Sequence, residues 1–200
     1  LHHHAEKIPE LLGDGKKLGI SIEYSREPMI LGTGGGIKKM LRMTNDDDVL
    51  IANGDVIADF DVTSLIAQHK AHKPLATFAL YKHPQAQKYG LLSYVKTSLP
   101  AGRHGGRTSL RSILNKPAPP ANTKQAMFAS FHVLSRKRGE KLLAHFDNNT
   151  MFCIMNDVYI PHIQKHANDF DAFIVDGFWR ACDSLEDIRE VENLLNGSTQ

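Results

Sequence analysis

This sequence has few cysteines, which stabilise small folds through disulfides, and no long apolar stretch of the kind that spans a membrane. Its 200 residues include two cysteines, Cys153 and Cys182, and one tryptophan. Two cysteines are too few for a disulfide framework and are not spaced as a zinc site, which favours a reducing compartment. No apolar stretch reaches the roughly 20 residues of a membrane span, and the N-terminus lacks a signal-peptide pattern. We therefore expect a cytoplasmic protein with no membrane partner.

Charge of one sign is also scarce. The 24 Lys and Arg residues against 22 Asp and Glu residues leave a formal net charge of +2. Such a balance gives no basic field strong enough to demand nucleic acid, so we expect no nucleic-acid partner. A hydrophobic fraction of 42% over 200 residues is enough for a buried core. We predict a single domain over residues 1–200.

Helical and extended patterns alternate along the chain, which is typical of an α/β fold. We predict helices over residues 5–12, 35–43, 62–72, 138–146, 153–166 and 184–195. We predict strands over residues 18–24, 49–52, 76–81, 91–95, 110–114, 127–134 and 170–175, with a polar loop over 98–109. The run at 49–52 is short and continuously apolar, as in strands buried within a parallel sheet.

Glycine is concentrated in the segment Gly32-Thr33-Gly34-Gly35-Gly36. A backbone without side chains can approach a ligand closely and direct several N–H groups at it. This composition favours a nucleotide site. An ordinary glycine-rich turn that begins a helix explains the same composition.

The segment Asn53-Gly54-Asp55 follows the predicted strand at 49–52. A carboxylate at the carboxyl edge of a sheet lies where open α/β folds bind ligands, and Mg²⁺ prefers such oxygen ligands. Asn-Gly is also the favoured dipeptide of a type I′ hairpin, in which case Asp55 simply follows a turn.

The order of several motifs resembles that of the sugar-1-phosphate nucleotidyltransferases. The resemblance rests on Leu31-Gly32-Thr33-Gly34-Gly35-Gly36, Asn53-Gly54-Asp55, Tyr89-Gly90, Asn115-Lys116-Pro117 and Trp179. The mannose-1-phosphate guanylyltransferases and N-acetylmuramate-1-phosphate uridylyltransferases are the most similar types. The resemblance implies a Rossmann-like α/β fold with a mixed central sheet. It also implies Mg²⁺-dependent transfer of a nucleotidyl group from a nucleoside triphosphate to a sugar 1-phosphate, releasing pyrophosphate.

The resemblance further implies roles for individual residues. Asp55 would hold Mg²⁺, Lys116 would grip the sugar phosphate, and these two are the catalytic candidates. Gly90 and Asn115 would contact the sugar, although Asn115 stands where the family commonly has Glu; an amide can still bond hydroxyl groups. The candidates for nucleotide binding are Gly32, Thr33, Gly34, Gly35, Asn53 and Gly54.

Two departures from the family pattern stand out. The family's Gly-x-Gly-x-Arg triphosphate loop is not in these residues, so we expect the N-terminal strands of the fold to be missing. The second Mg²⁺ ligand of the family lies two residues after the Trp, where this chain has Ala181 after Trp179. Asp183 or Asp176 is then the candidate for that second ligand.

Two main hypotheses follow for the function. The first is a nucleotidyltransferase, although these residues alone are expected to be inactive. The second is a non-catalytic paralogue or regulatory subunit that binds nucleotide or nucleotide sugar. We expect an open sheet edge to favour self-association or pairing with a homologous chain. A glycosyltransferase, with Asp59-Phe60-Asp61 as its metal motif, ranks below both because that motif leads into a helix.

Overall fold

The computed structural model describes residues 1–97 and 106–197. Most of the predicted polar loop therefore lies outside the described residues. The chain forms two compact units: residues 1–47 with 136–161, and residues 48–135 with the chain from His162 onward. Within the described part of the chain, no helix combines the length and apolar character needed to cross a bilayer.

The described chain contains both helices and strands, as predicted. The helices are α1 (Lys7–Leu12), α2 (Gly32–Leu41), α3 (Val62–His72), α4 (Arg136–Leu143), α5 (Ile160–Lys165) and α6 (Leu185–Gly197), with a π-helix at Ile154–Tyr159. The strands are β1 (Asp48–Ala52), β2 (Val56–Asp59), β3 (Ala76–Tyr81), β4 (Leu91–Thr97), β5 (Arg107–Ile113), β6 (Lys124–Ser135), β7 (Phe170–Val175) and β8 (Phe178–Ala181). The alternation is incomplete, because β3, β4, β5 and β6 follow one another without an α-helix between the described parts of these strands.

The first unit is built from α2, α4 and the π-helix, which pack against one another. The strand predicted over residues 18–24 is wrong, because Lys16–Leu18 forms a 3₁₀ turn and the following residues belong to no strand. An alternating pattern forms a strand only when a partner ladder accepts its backbone hydrogen bonds. Ile20 remains 56% exposed in this unit.

The second unit contains a mixed sheet of six strands in the order β1-β6-β3-β7-β5-β4, and β4 also pairs with β6. The β3–β7 pair is parallel, whereas the other pairs within this sheet are antiparallel. This confirms the predicted α/β class with a mixed central sheet. The placement of residues 49–52 within a parallel sheet is wrong, because β1 pairs antiparallel with β6 at the edge, and Leu50 is 37% exposed.

Two short strands, β2 and β8, were not predicted from the sequence. β2 and β8 form a separate antiparallel ribbon in which Val56 faces Ala181 and Asp59 faces Phe178. Helix α3 begins after Asp61, whose side chain accepts a hydrogen bond from the Ser64 N–H, as expected of an N-cap. The first strand of the ribbon, β2, therefore lies directly between β1 and α3 in the chain, whereas β8 follows β7.

The core of the second unit encloses paired polar groups as well as apolar side chains. Asp171 is fully buried, and its carboxylate accepts a hydrogen bond from Arg107 Nε at 2.7 Å and lies 2.7 Å from His72 Nδ1. His132 is buried and stacked on Phe78, with ring centroids 5.2 Å apart. Burial, with a smaller contribution from nearby His69, lowers the pKa of His132 to about 3. His132 is therefore neutral at physiological pH.

Candidate functional site

The glycine segment forms the first turn of α2 rather than a loop before it. Gly32 has a φ of 69°, which favours glycine. The Gly34 N–H donates to the Phe152 carbonyl at 2.9 Å, and the Phe152 N–H donates to the Leu31 carbonyl at 3.1 Å. The Thr33 hydroxyl oxygen accepts a hydrogen bond from the Ile154 N–H at 3.0 Å. This turn is thus tied to the segment that precedes the π-helix.

Two of these glycines have a packing requirement of their own. A Cβ atom on Gly34 would lie 2.3 Å from Cδ2 and Cε2 of Phe152, and one on Gly35 would lie 2.6 Å from Cβ of Leu31. Both glycines are buried. A side chain at either position would therefore collide with the protein itself, whether or not a ligand is present.

In the chain, Asp55 lies between β1, which belongs to the six-stranded sheet, and β2, which belongs to the two-stranded ribbon. Asp55 immediately precedes β2 and is three residues beyond the end of β1. The Asn53 N–H donates to the Ser130 carbonyl, and the turn at Gly54 and Asp55 leads into β2. Because β1 and β2 belong to different sheets, Asn53-Gly54 does not form a hairpin. The Asp55 carbonyl accepts a hydrogen bond from the Cys182 N–H at 2.8 Å. The exposed Asp55 therefore stands at one end of the β2–β8 ribbon.

The ribbon distinguishes the two candidates for a second metal ligand. Asp183 follows Cys182 and so lies at the same end of the ribbon as Asp55. Asp176 precedes β8, beyond the Phe178–Asp59 pair at the opposite end. Four residues of strand separate the two ends by about 13 Å at ~3.3 Å per residue. By this register Asp183 lies at the same end of the ribbon as Asp55, and Asp176 lies at the other end.

The residues near Asp55 offer few ligands for Mg²⁺. Among the described residues, no group of three or more His, Cys, Asp or Glu side chains is placed to hold a metal ion. Mg²⁺ in phosphate-transfer sites commonly uses only one or two carboxylates, with water and substrate phosphates completing its coordination. The exposed Asp55 is one such carboxylate, and Asp183 follows Cys182, whose N–H bonds the Asp55 carbonyl.

A cavity of about 340 Å³ opens beside Asp55. Its walls are mostly aliphatic, with Asp55 and Glu192 as the charged residues; the others are Gly54, Val56, Ile57, Cys182, Ile188, Val191 and Leu195. This volume falls within the range of small-molecule sites. The cavity therefore offers a ligand space next to the candidate metal ligand.

The sugar-binding candidates are brought together by two strand connections. Ile113 and Lys116 exchange backbone hydrogen bonds around Leu114 and Asn115, both of which have positive φ. Gly90 has a φ of 84°, and a Cβ there would lie 2.4 Å from Cδ2 of Leu114. Gly90 thus packs against the turn that carries Asn115 and Lys116. The side chain of Lys116 is exposed.

Gln125 is a neighbour of this turn that the sequence analysis did not identify. Its Nε2 donates to Asn115 Oδ1 and to Ser93 Oγ, both at 3.2 Å. Gln125 faces Ser93 across the β4–β6 ladder. No local pattern marks this residue, because its position depends on strand register.

An aromatic cluster explains Tyr89 and Trp179 as packing residues. Trp179 is buried, its Nε1 donates to the Ala129 carbonyl at 3.0 Å, and its ring lies edge-on to Tyr89. His83 contacts both rings. Burial lowers the pKa of His83, and the charges of Arg180 and Lys88 lower it further.

Comparison with known proteins identifies the family. The fold is similar to that of HddC from Yersinia pseudotuberculosis, whose crystal structure was determined in complex with GMP-PN; the TM-score is 0.69 at 16% identity, covering 98% of this chain and 76% of that one. This likeness shows that the two proteins share a fold. The profile of the nucleotidyl transferase family matches residues 1–180. The chain belongs to that family, whose members generally depend on a divalent metal.

Two curated relatives match shorter parts of the chain. A D-glycero-alpha-D-manno-heptose 1-phosphate guanylyltransferase of Aneurinibacillus thermoaerophilus is 42% identical over 72 residues, which is 36% of this chain and 31% of the relative. A mannose-1-phosphate guanylyltransferase catalytic subunit beta of Dictyostelium discoideum is 39% identical over 80 residues, which is 40% of this chain and 22% of the relative. These matches span less than a third of either relative's length.

Proposed function

We propose that this chain is part of an enzyme that transfers a nucleotidyl group from a nucleoside triphosphate to a sugar 1-phosphate. The products are a nucleotide sugar and pyrophosphate. The observation that carries the proposal is the position of Asp55, at the end of the β2–β8 ribbon with Asp183 at the same end and a cavity of about 340 Å³ at its side. Family membership and the guanylyltransferase relatives support it.

In the proposed reaction, an oxygen of the sugar phosphate attacks the α-phosphorus of the triphosphate, and pyrophosphate leaves. Mg²⁺, when bound, would reduce the repulsion between the two anions. Asp55 would hold the ion, with Asp183 as an outer partner. The ammonium group of Lys116 would neutralise the phosphate of the sugar. We also propose that residues 1–200 belong to a single nucleotidyltransferase-like domain.

The remaining candidates would position the two substrates. Asn115, fixed by Gln125, would bond sugar hydroxyl groups, and the tight packing of Gly90 on Leu114 would keep the turn in place. The first turn of α2 would lie along the nucleobase, with Gly32, Thr33, Gly34 and Gly35 in contact with it. Asn53 and Gly54 would lie near the nucleotide phosphates.

The second candidate function is a non-catalytic subunit that binds nucleotide or nucleotide sugar. Ala181, which faces Val56, occupies the position of the family's second carboxylate and favours this alternative. Under either function we propose a cytoplasmic location, supported by the free thiols of Cys153 and Cys182. We also propose self-association or pairing with a homologous chain.

The test of the first function is nucleotide binding with and without Mg²⁺. Asp55→Asn should abolish the Mg²⁺-dependent part of GTP binding measured by calorimetry, because the amide carries no charge for the ion. Asp59→Asn is the matched control, since it removes a carboxylate at the other end of β2. Undiminished Mg²⁺ dependence in Asp55→Asn would remove Asp55 from the site.

Turnover provides a second test that separates the two functions. We expect residues 1–200 alone to release no measurable pyrophosphate, because they lack the Gly-x-Gly-x-Arg loop and have Ala181 in place of a carboxylate. Adding a family strand with that loop, together with Ala181→Asp, should produce turnover if the chain is part of an enzyme. Continued inactivity of that folded protein would favour the non-catalytic subunit.

A further inference from the structure

The first unit contains a second cavity, which the proposed function does not use. Its volume is about 210 Å³, and its walls come from residues 28–31, α2 and Asn148-Asn149. Gly35 contributes to its wall, whereas Thr33 does not line it. The charged side chains of its wall come from the second half of α2 and from Arg42, the residue that follows this helix.

Three cations line this cavity. They are Lys38, Lys39 and Arg42, accompanied by the side-chain amides of Asn148 and Asn149. No carboxylate is present among the described residues that form the wall. In the part of the chain that the structure describes, the wall therefore combines the apolar residues Pro28, Met29 and Leu31 with three cations and no carboxylate.

Two of the cations are held in place. Lys38 is only 8% exposed, and its ammonium group donates to the Phe146 carbonyl. The ammonium group of Lys39 donates to the Arg26 carbonyl. An ammonium group has three donors, so each can still reach another acceptor. The two lysines thus form a fixed positive wall.

Two carboxylates that do not line the cavity accept hydrogen bonds from backbone N–H groups of its wall residues and keep their negative charge. Glu27 accepts a hydrogen bond from the Leu31 N–H, and Asp147 accepts one from the Asn149 N–H. Both acids therefore organise the loops beside the cavity. An alternative explanation for the basic residues at the end of α2 is that they stabilise the negative end of the helix dipole. That stabilisation needs neither a cavity nor a bound anion.

We propose that this cavity binds a small phosphate-bearing anion. A volume of about 210 Å³ exceeds the ~30 Å³ share of one water several-fold. It is smaller than the ~300–1,000 Å³ typical of drug-sized ligands, which favours inorganic phosphate or a compact phosphomonoester over a nucleotide. The guanidinium of Arg42 suits bidentate recognition of phosphate oxygens. The site is distinct from Asp55 and requires no Mg²⁺.

The test is a titration of the 200-residue protein with sodium phosphate, followed by amide NMR shifts and calorimetry in EDTA. Sodium chloride at matched ionic strength corrects for screening. The variant Lys39→Gln/Arg42→Gln should weaken phosphate binding at least tenfold. The control Lys7→Gln/Lys17→Gln removes the same charge from exposed positions of the same unit, and should bind phosphate as the unmodified protein does.

Further results of the titration identify the ligand or contradict the proposal. Competition by glycerol 2-phosphate would support a phosphomonoester as the ligand, whereas binding of inorganic phosphate alone would support the free ion. Equal weakening in both double variants, or undiminished binding in Lys39→Gln/Arg42→Gln, would overturn the proposal. Arg42→Gln alone, at an exposed position, provides a folded test if the double variant does not fold. Asp55→Asn should bind phosphate normally, so failure of the proposed function leaves a different signature.

Discussion

The close packing of Gly34 on Phe152 makes a quantitative prediction about stability. Gly34→Ala would place a methyl group 2.3 Å from two ring atoms of Phe152. That ring is nearly immobilised, because Phe152 is 5% exposed and stacked on Phe146 with centroids 4.1 Å apart. Relief of the clash requires movement of both rings. Overpacking of this kind costs about 1–3 kcal/mol.

The same substitution also improves helix propensity, and a control within the same helix removes that effect. Alanine is favoured over glycine in a helix by about 1 kcal/mol. At Gly36 the added methyl group would meet only Glu27 Oε1, at 3.2 Å, which a flexible side chain can relieve. The difference between Gly34→Ala and Gly36→Ala therefore isolates the cost of overpacking. We expect Gly36→Ala to be more stable by about 1–3 kcal/mol.

Urea unfolding followed by far-UV circular dichroism measures this difference. For a protein of this size, about 1 kcal/mol corresponds to ~2–4 °C in melting temperature, so thermal unfolding should rank the variants in the same order. Phe152→Leu should make Gly34→Ala less costly, because the smaller side chain frees the space of the ring. Equal midpoints for Gly34→Ala and Gly36→Ala would refute the packing argument.

Three further predictions concern the second unit. Because the pKa of His132 is lowered to about 3 in the folded protein, the unfolded chain binds a proton at His132 below about pH 6.5 while the folded chain does not. The free energy of unfolding should therefore fall by up to ~1.4 kcal/mol per pH unit as the pH decreases from about 6.5 toward about 3. Urea midpoints measure this slope, which should be less steep in His132→Gln. Arg107→Gln should destabilise the protein by about 3 kcal/mol, because the Asp171 carboxylate is fully buried, and an unchanged melting temperature would contradict this. Gly90→Ala should lower the free energy of unfolding by about 1–3 kcal/mol relative to Gly54→Ala, because Gly90 has a φ of 84°. A Cβ atom on Gly54 has no neighbour within 4 Å among the described residues, so Gly54→Ala is the control. The melting temperatures of the two variants measure the difference.

Local signals explain which elements were predictable. Both ends of helix α3 were predicted correctly. Its signals are local, because the capping residue Asp61 and the polar–apolar pattern of the helix lie within a few residues of one another. β3 and β7 were predicted because each is a dense apolar run, and both are buried in the sheet. β2 and β8 were missed because each has only four residues and obtains its stability from pairing with the other.

The candidate site depended more on distant pairing. The sequence analysis identified Asp55 and Asn115 from motif order, but it left Asp183 and Asp176 as equal alternatives. Only the register of β2 against β8 separates those two residues. Gln125 was missed because its bond to Asn115 requires the turn after β5 to approach β6. Such contacts depend on tertiary structure, and no local pattern encodes them.

The bond between Thr33 and Ile154 has a consequence for how the protein is made. These residues are 121 positions apart, and chains are synthesised at about 5–20 residues per second. The first turn of α2 therefore waits roughly 6–24 s on the ribosome before its hydrogen-bond partner exists. During that interval the glycines and their buried neighbours lack the Phe152 ring that covers them. Substitutions in the segment around Phe152 should consequently reduce the yield of folded protein in cells more than their effect on equilibrium stability suggests.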